Sequence, residues 1–296
     1  MSKDTIAKRT VHIGYRATKK QHSGQNLIQV LLNVVLGFGC IIAMLPFMWI
    51  ISTSLRSPAY AFRMPPLFLP TEFMYQNYVA VFESFPFIRF ISNSLLAASG
   101  SVLLSVTVTT LAAYAFARIN FRFKNAIFII FMSGLMVPGF ATLISTFLMM
   151  SQFNLVNTLW ALILPAAINP LHIFLVRQFM MTIPKSYDES AEIDGCSRFS
   201  TFFFIILPMT KPVLMLAVLQ AFLASWNDFM RPLIFLHDFD RMTIPIGLRM
   251  LHGFMGTGNL SYILAGVTIS FTMPVILYIF GQRYLVEGIT LTGVKS

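Results

Sequence analysis

Eleven carboxylates, five histidines and two cysteines are the first candidates this 296-residue chain offers for acid–base, metal or thiol chemistry, and their spacing excludes most of it. No histidine pair stands at metal-ligand spacing, nothing resembles a nucleophile triad, and no G-x-x-x-x-G-K-S/T loop is present to cradle a nucleotide. The chain reads as non-catalytic, with no metal and no cofactor of its own. Four of the carboxylates cluster instead in Pro184-Lys-Ser-Tyr-Asp-Glu-Ser-Ala-Glu-Ile-Asp-Gly195. Ser186 followed by Glu189 fits a capping box. Asp188 and Glu189 fall in the first turn, where the helix dipole favours negative charge, and Gly195 supplies a left-handed stop. The pattern predicts a helix of about two turns, a bend, and a second helix capped by Ser197. That helix runs through Phe199, Phe202, Phe203, Ile205 and Ile206 to Leu207-Pro208. Two short helices joined at a glycine make a knob, acidic on one face and apolar at its edges, suited to a groove on another protein. The alternative, an ordinary solvated loop, leaves the exposed aromatics and the paired start and stop signals unexplained.

The elements around this loop are set by hydropathy. The chain is 56% hydrophobic and 11% charged, with a mean hydropathy of +0.74, against roughly 25% charged in a soluble domain. Its apolar residues arrive in continuous blocks of about 20 or more, the length that crosses a bilayer core as helix. Lipid leaves no water for unpaired backbone groups, so unbroken blocks mean helices. Spans are expected at about Leu27–Thr53, Phe90–Ala117, Asn125–Met149, Thr158–Met181, Lys211–Phe229 and Leu260–Gln282. The second is rich in Ser, Thr, Ala and Gly, which favours a helix buried among others. Prolines at 58, 65, 66, 70 and 86 break the stretch after the first span. Within it Tyr78, Phe82 and Phe85 share one face of a short amphipathic segment.

The formal charge of +10 points to topology rather than to nucleic acid. All eight lysines (3, 8, 19, 20, 124, 185, 211 and 295) fall in segments that alternate to one side, which the positive-inside rule makes the cytoplasm. Both termini and the 182–210 loop share that side. The basic tail, residues 1–26, is primarily a topology signal, and contact with anionic lipid is a secondary role. Cys40 and Cys196 belong to different membrane levels, so no disulfide is expected.

Glu189-Ser190-Ala191, then Asp194-Gly195, nine residues, and Ile205-Ile206-Leu207-Pro208 resemble the EAA loop of ABC importer permeases. Ser190 stands where that family usually has alanine. From about residue 27 onward the chain is similar to the six-helix subunit of the maltose-type branch. The likeness is carried by Leu111-Ala-Ala-Tyr-Ala-Phe-Ala-Arg118, Trp226-Asn227-Asp228, and the tail Gly288-Ile-Thr-Leu-Thr-Gly293-Val-Lys-Ser.

The resemblance implies an all-α integral membrane protein of six transmembrane helices with the type I ABC importer permease fold and cytoplasmic termini. Residues 1–26 are then a tail, 27–89 the first helix and outer segment, 90–283 the permease core with its coupling loop at 184–208, and 284–296 a second tail. It implies a multi-pass subunit of a binding-protein-dependent carbohydrate importer in the bacterial inner membrane. Its partners are a second permease, an ATPase dimer that holds ATP and Mg, an extracytoplasmic sugar-binding protein and membrane lipid. Coupling falls to Glu189, Ala191, Asp194, Gly195, Leu207 and Pro208, with Gly293 and Lys295 as further ATPase contacts. Sugars meet planar polar groups and stacked aromatics, which makes Asn169, Trp226 and Asn227 candidates for the substrate path. A stand-alone secondary transporter or channel is the competing class, disfavoured because Asp and Glu lie only in loops and at helix ends. Glycerol phosphodiesters and polyols are competing solutes for the importer.

Overall fold

A computed structural model describes residues 21–61, 68–70, 72–254 and 259–293, and all the regular structure among them is helical. The chain divides into two units, Met1–Trp49 and Ile50–Ser296. The described part of the first is helix α1, Gln21–Ser54, which crosses the division. Its Ile28–Ser54 stretch is long and apolar enough to span a membrane. It contains Pro46, whose missing N–H interrupts the backbone ladder.

The second unit is organised by α3, Phe87–Arg118, at about 48 Å the length of a full span with turns to spare. Its buried face is a ladder of small residues, Ser94, Ala97, Ala98, Ser101, Ser105, Thr109 and Ala113, at helical spacing. Small side chains let neighbouring helices approach closely, and their hydroxyls bond across the contact. Ser94 Oγ accepts from the Ile244 N–H at 2.8 Å, and Ser225 Oγ lies 3.5 Å from Ser101 Oγ.

Before α3, helix α2 (Gln76–Ser84) is the expected amphipathic segment. Asn77 is buried and donates to the carbonyls of Ser54 and Arg56, both at 2.7 Å. After α3 come α4 (Lys124–Met136), α5 (Leu143–Gln152), α6 (Trp160–Ala167) and α7 (Pro170–Thr182). Helices α8 (Ser186–Ile193) and α9 (Arg198–Met209) follow, then α10 (Lys211–Trp226), α11 (Met230–Phe235), α12 (Ile244–Phe254) and α13 (Leu260–Gly293).

Three packed clusters line α3. One joins Phe87 and Phe90 to Phe222 and Trp226 of α10, Ile244 and Leu251 of α12, and Ala265 of α13. A second sets Ala97 against Leu162, Met150, Phe235 and Leu236. The third, at the other end, holds Ala113 and Tyr114 against Val176, Met180, Ile183, Phe202 and Ile206.

Single unbroken spans are fewer than the hydropathy predicts. Among the described residues, only α1, α3 and α13 are long and apolar enough alone, and α6–α7 and α9–α10 pass only as bent pairs, at 42° and 78°. The expected third span is two short helices, broken at residues 137–142, where Pro138-Gly139 ends the ladder. Asn169 leaves the helix because a residue preceding proline is pushed out of the α region, and Ile168 before it is extended as well. Helix α10 ends at Trp226, three residues short of the expected boundary.

Candidate functional site

The loop between α7 and α10 folds as two helices at a glycine. Helix α8 ends in a Schellman motif: the Cys196 N–H donates to Ala191 O at 2.9 Å and the Gly195 N–H to Glu192 O at 3.1 Å. Gly195 sits at φ +77°, in the left-handed region that glycine enters without steric cost. The next helix opens as its sequence predicts, with Ser197 Oγ accepting from the Ser200 N–H at 3.1 Å. The capping box at the start of α8 does not form. Ser186 already lies inside the first turn and makes no cap bond, and the turn is closed by backbone, Glu189 N–H to Lys185 O at 3.1 Å. Helix α9 carries a π turn at Phe202–Ile206 just before Leu207-Pro208.

What faces outward on this knob is largely apolar. Ile193 is 87% exposed and Phe204 80%, with Phe199, Phe203 and Tyr187 also open to solvent. Glu189, Asp194, Gly195 and Pro208 are exposed, Leu207 is half-buried, and Ala191 is buried under the helix pair. A larger side chain at the buried position 191 would have to displace its neighbours.

The last turn of α3 anchors both halves of the knob. The Arg118 side chain, 6% exposed, places its guanidinium 3.1 Å from Asp188 Oδ2 of α8 and donates to Ile183 O at 2.8 Å. Asp188 Oδ2 has no aligned hydrogen bond, so its link to Arg118 is an ion pair held mainly by charge. Four residues earlier, Tyr114 donates its hydroxyl to Arg198 O of α9 at 3.2 Å and packs on the Phe202 ring at 4.8 Å. One helix end thus grips α8 through a charge and α9 through an aromatic.

The residues expected along a substrate path are scattered. Asn169 is the N-cap of α7, its Oδ1 accepting from Leu171 and His172 N–H at 3.0 and 3.3 Å. Trp226 is 2% exposed, stacks on Phe222 at 5.4 Å and donates from Nε1 to Ser270 O at 3.2 Å, so it joins α10 to α13. Asn227 is exposed at the end of α10, and Asp228 pairs with Arg231, as the spacing suggested. A cavity beside that pair takes in Thr142, Thr146 and Pro165 but neither Trp226 nor Asn227. Gly293 is the last residue of α13, and Lys295 lies outside the described residues.

Residues 105–286, which include the whole knob, match the family model described as the binding-protein-dependent transport system inner membrane component. The chain belongs to this family. The permease is 34% identical over 274 residues to the arabinooligosaccharides transport system permease protein of Halalkalibacterium halodurans, covering 91% of this chain and 98% of that one. It is 32% identical to the trehalose/maltose transport system permease protein of Thermococcus litoralis, over 90% and 99% of the two chains. Its fold resembles a chain from the crystal structure of a bacterial ABC transporter involved in import of the acidic polysaccharide alginate. The TM-score is 0.75 at 20% identity, over 91% of this chain and 99% of that one.

Sequence reasoning about this permease missed the Arg118–Asp188 pair and the Tyr114 contact. Arg118 was legible only as the basic end of a span. One signal was available: a buried-face tyrosine and an arginine four residues apart occupy one side of a helix end.

Proposed function

We propose that this permease is one of two membrane subunits of an ATP-driven, binding-protein-dependent importer that carries a carbohydrate, specifically an oligosaccharide, into the bacterial cytoplasm. The observation that carries the reading is the knob: a rigid helix–glycine–helix with an exposed apolar rim, bolted to the end of a span by Arg118 and Tyr114. A partner ATPase that closes on ATP and Mg would carry the knob with it, and α3 would move as one body with the knob. The oligosaccharide follows from the named solutes of its relatives, arabinooligosaccharides and trehalose/maltose. In this reading the chain crosses six times, with α4–α5, α6–α7 and α10 each counted as one, so both termini share a side, and the lysine bias makes that side the cytoplasm. Glu189 and Asp194 are then free to meet basic groups on the ATPase, while Ala191 and Gly195 set the shape.

The test is purification of the tagged protein in mild detergent, with mass spectrometry of what accompanies it, for wild type and Gly195→Val. A Cβ at 195 meets no atom within 4 Å, so the main cost to the variant is holding a β-branched residue in the left-handed region, at least about 1–2 kcal/mol. We expect a second permease and an ATPase with the wild type. The variant should express normally, with ATP hydrolysis uncoupled from sugar uptake. A wild-type chain that purifies alone and well folded would overturn the importer reading, and normal uptake by the variant would overturn the role of the knob.

A further inference from the structure

We propose that a basic cavity at the foot of α4 holds the phosphate of an anionic phospholipid whose acyl chains lie along the exposed apolar side of that helix. The cavity, about 450 Å³, is formed by the end of α3, the turn into α4, and α7. Its polar lining is Lys124, Arg177, Asn120 and Asn125, and no carboxylate contributes to it. Lys124 Nζ donates to Ile119 O at 2.9 Å, and Arg177 Nε to Phe116 O at 3.2 Å. The Arg177 guanidinium also lies 4.1 Å over the Phe128 ring. Capping the carbonyls at the end of α3 accounts for one donor on each cation. It leaves two ammonium and four guanidinium N–H groups over, and neither cation forms an ion pair among the described residues.

Two carboxamides and two cations around an open space fit a phosphate, from a lipid or from solution. The surroundings select the lipid. Helix α4 leaves the cavity with Ile127, Ile129 and Ile130 exposed at 43, 67 and 72%, an apolar track that begins where a headgroup would end. Phe121 and Phe123 stand exposed at the rim, with Arg122 4.8 Å over the Phe123 ring, so an apolar edge borders the cations. Basic pockets between helices on the cytoplasmic side are where anionic headgroups bind. The site needs only a chain seated in a bilayer with the foot of α4 at its cytoplasmic face, so it stands or falls separately from the coupling reading.

The experiment titrates phosphatidylglycerol into the delipidated, tagged protein, purified with whatever subunits accompany it, and counts bound lipid by native mass spectrometry. Lys124→Gln with Arg177→Gln should weaken retention about 30-fold, the effect of two cations at a membrane surface. Lys124→Arg with Arg177→Lys should keep it within about threefold on the same scale. Arg89→Gln with Arg249→Gln, which removes two charges elsewhere, should change nothing. Asn120→Asp with Asn125→Asp leaves the bonds that cap α3 intact, and should expel the lipid even if the glutamine pair fails to fold. Equal retention by wild type and the aspartate variant overturns the site. Displacement of the lipid by millimolar inorganic phosphate assigns the cavity to a soluble anion and overturns the lipid.

Discussion

At the scale of single residues, Arg118 carries the most. Its guanidinium serves an acid on α8 and the carbonyl that precedes the knob, two partners reached from one planar fork. Arg118→Lys keeps the charge and loses the fork, while Arg118→Ala leaves Asp188, whose side chain is 27% exposed, without its counter-ion. Breaking such a pair costs about 1–3 kcal/mol at this partial exposure. We expect Arg118→Ala to lower the detergent unfolding midpoint and to reduce uptake at least tenfold at unchanged membrane abundance. Lysine should restore stability but only part of the uptake. Thermal unfolding and uptake measured on the same preparations check this, and full uptake by the alanine variant would show that the anchor transmits nothing.

At the scale of elements, the contact between α3 and α12 is set by one glycine. A Cβ at Gly247 would stand 2.4 Å from the Phe90 ring, which is fully buried and has nowhere to turn. At Gly100 the nearest atom is the terminal methyl of Ile163, at 2.7 Å, the far end of a side chain that can rotate. Overpacking costs about 1–3 kcal/mol when the neighbour cannot yield. Gly247→Ala should therefore destabilise the protein by an amount in that range, and Gly100→Ala by clearly less. Unfolding midpoints of the two variants in detergent decide it; equal midpoints would mean that α12 shifts freely over α3. The broken helices belong to the same scale, since each break falls at or within two residues of a proline, where only a neighbouring helix or a cavity satisfies the freed backbone groups.

At the scale of the whole molecule, orientation is the property to test. Cys196 is exposed on the knob, and Cys40 lies within the apolar stretch of α1. A membrane-impermeant maleimide should label Cys196 in inside-out vesicles and leave it unmodified in intact cells, where only extracytoplasmic groups are reached. Cys196→Ser provides the blank. Labelling in intact cells would invert the topology, and with it the assignment of the knob to the ATPase side.

The sequence by itself determined the class, the location of the apolar segments and the helix–glycine–helix, because each is written in local terms. Span length answers to bilayer thickness, and a cap or a left-handed glycine answers to residues three or four positions away. Ser197 and Gly195 were legible for that reason, and Ser186 was misread because two competing starts lay one residue apart, and the helix began at the earlier. Only the tertiary structure decided that Trp226 turns into the core, that the third apolar segment breaks in two, and that Arg118 meets Asp188, 70 residues away in number. Those outcomes depend on which helices become neighbours, and a buried charge or indole takes whatever partner the packing brings within reach.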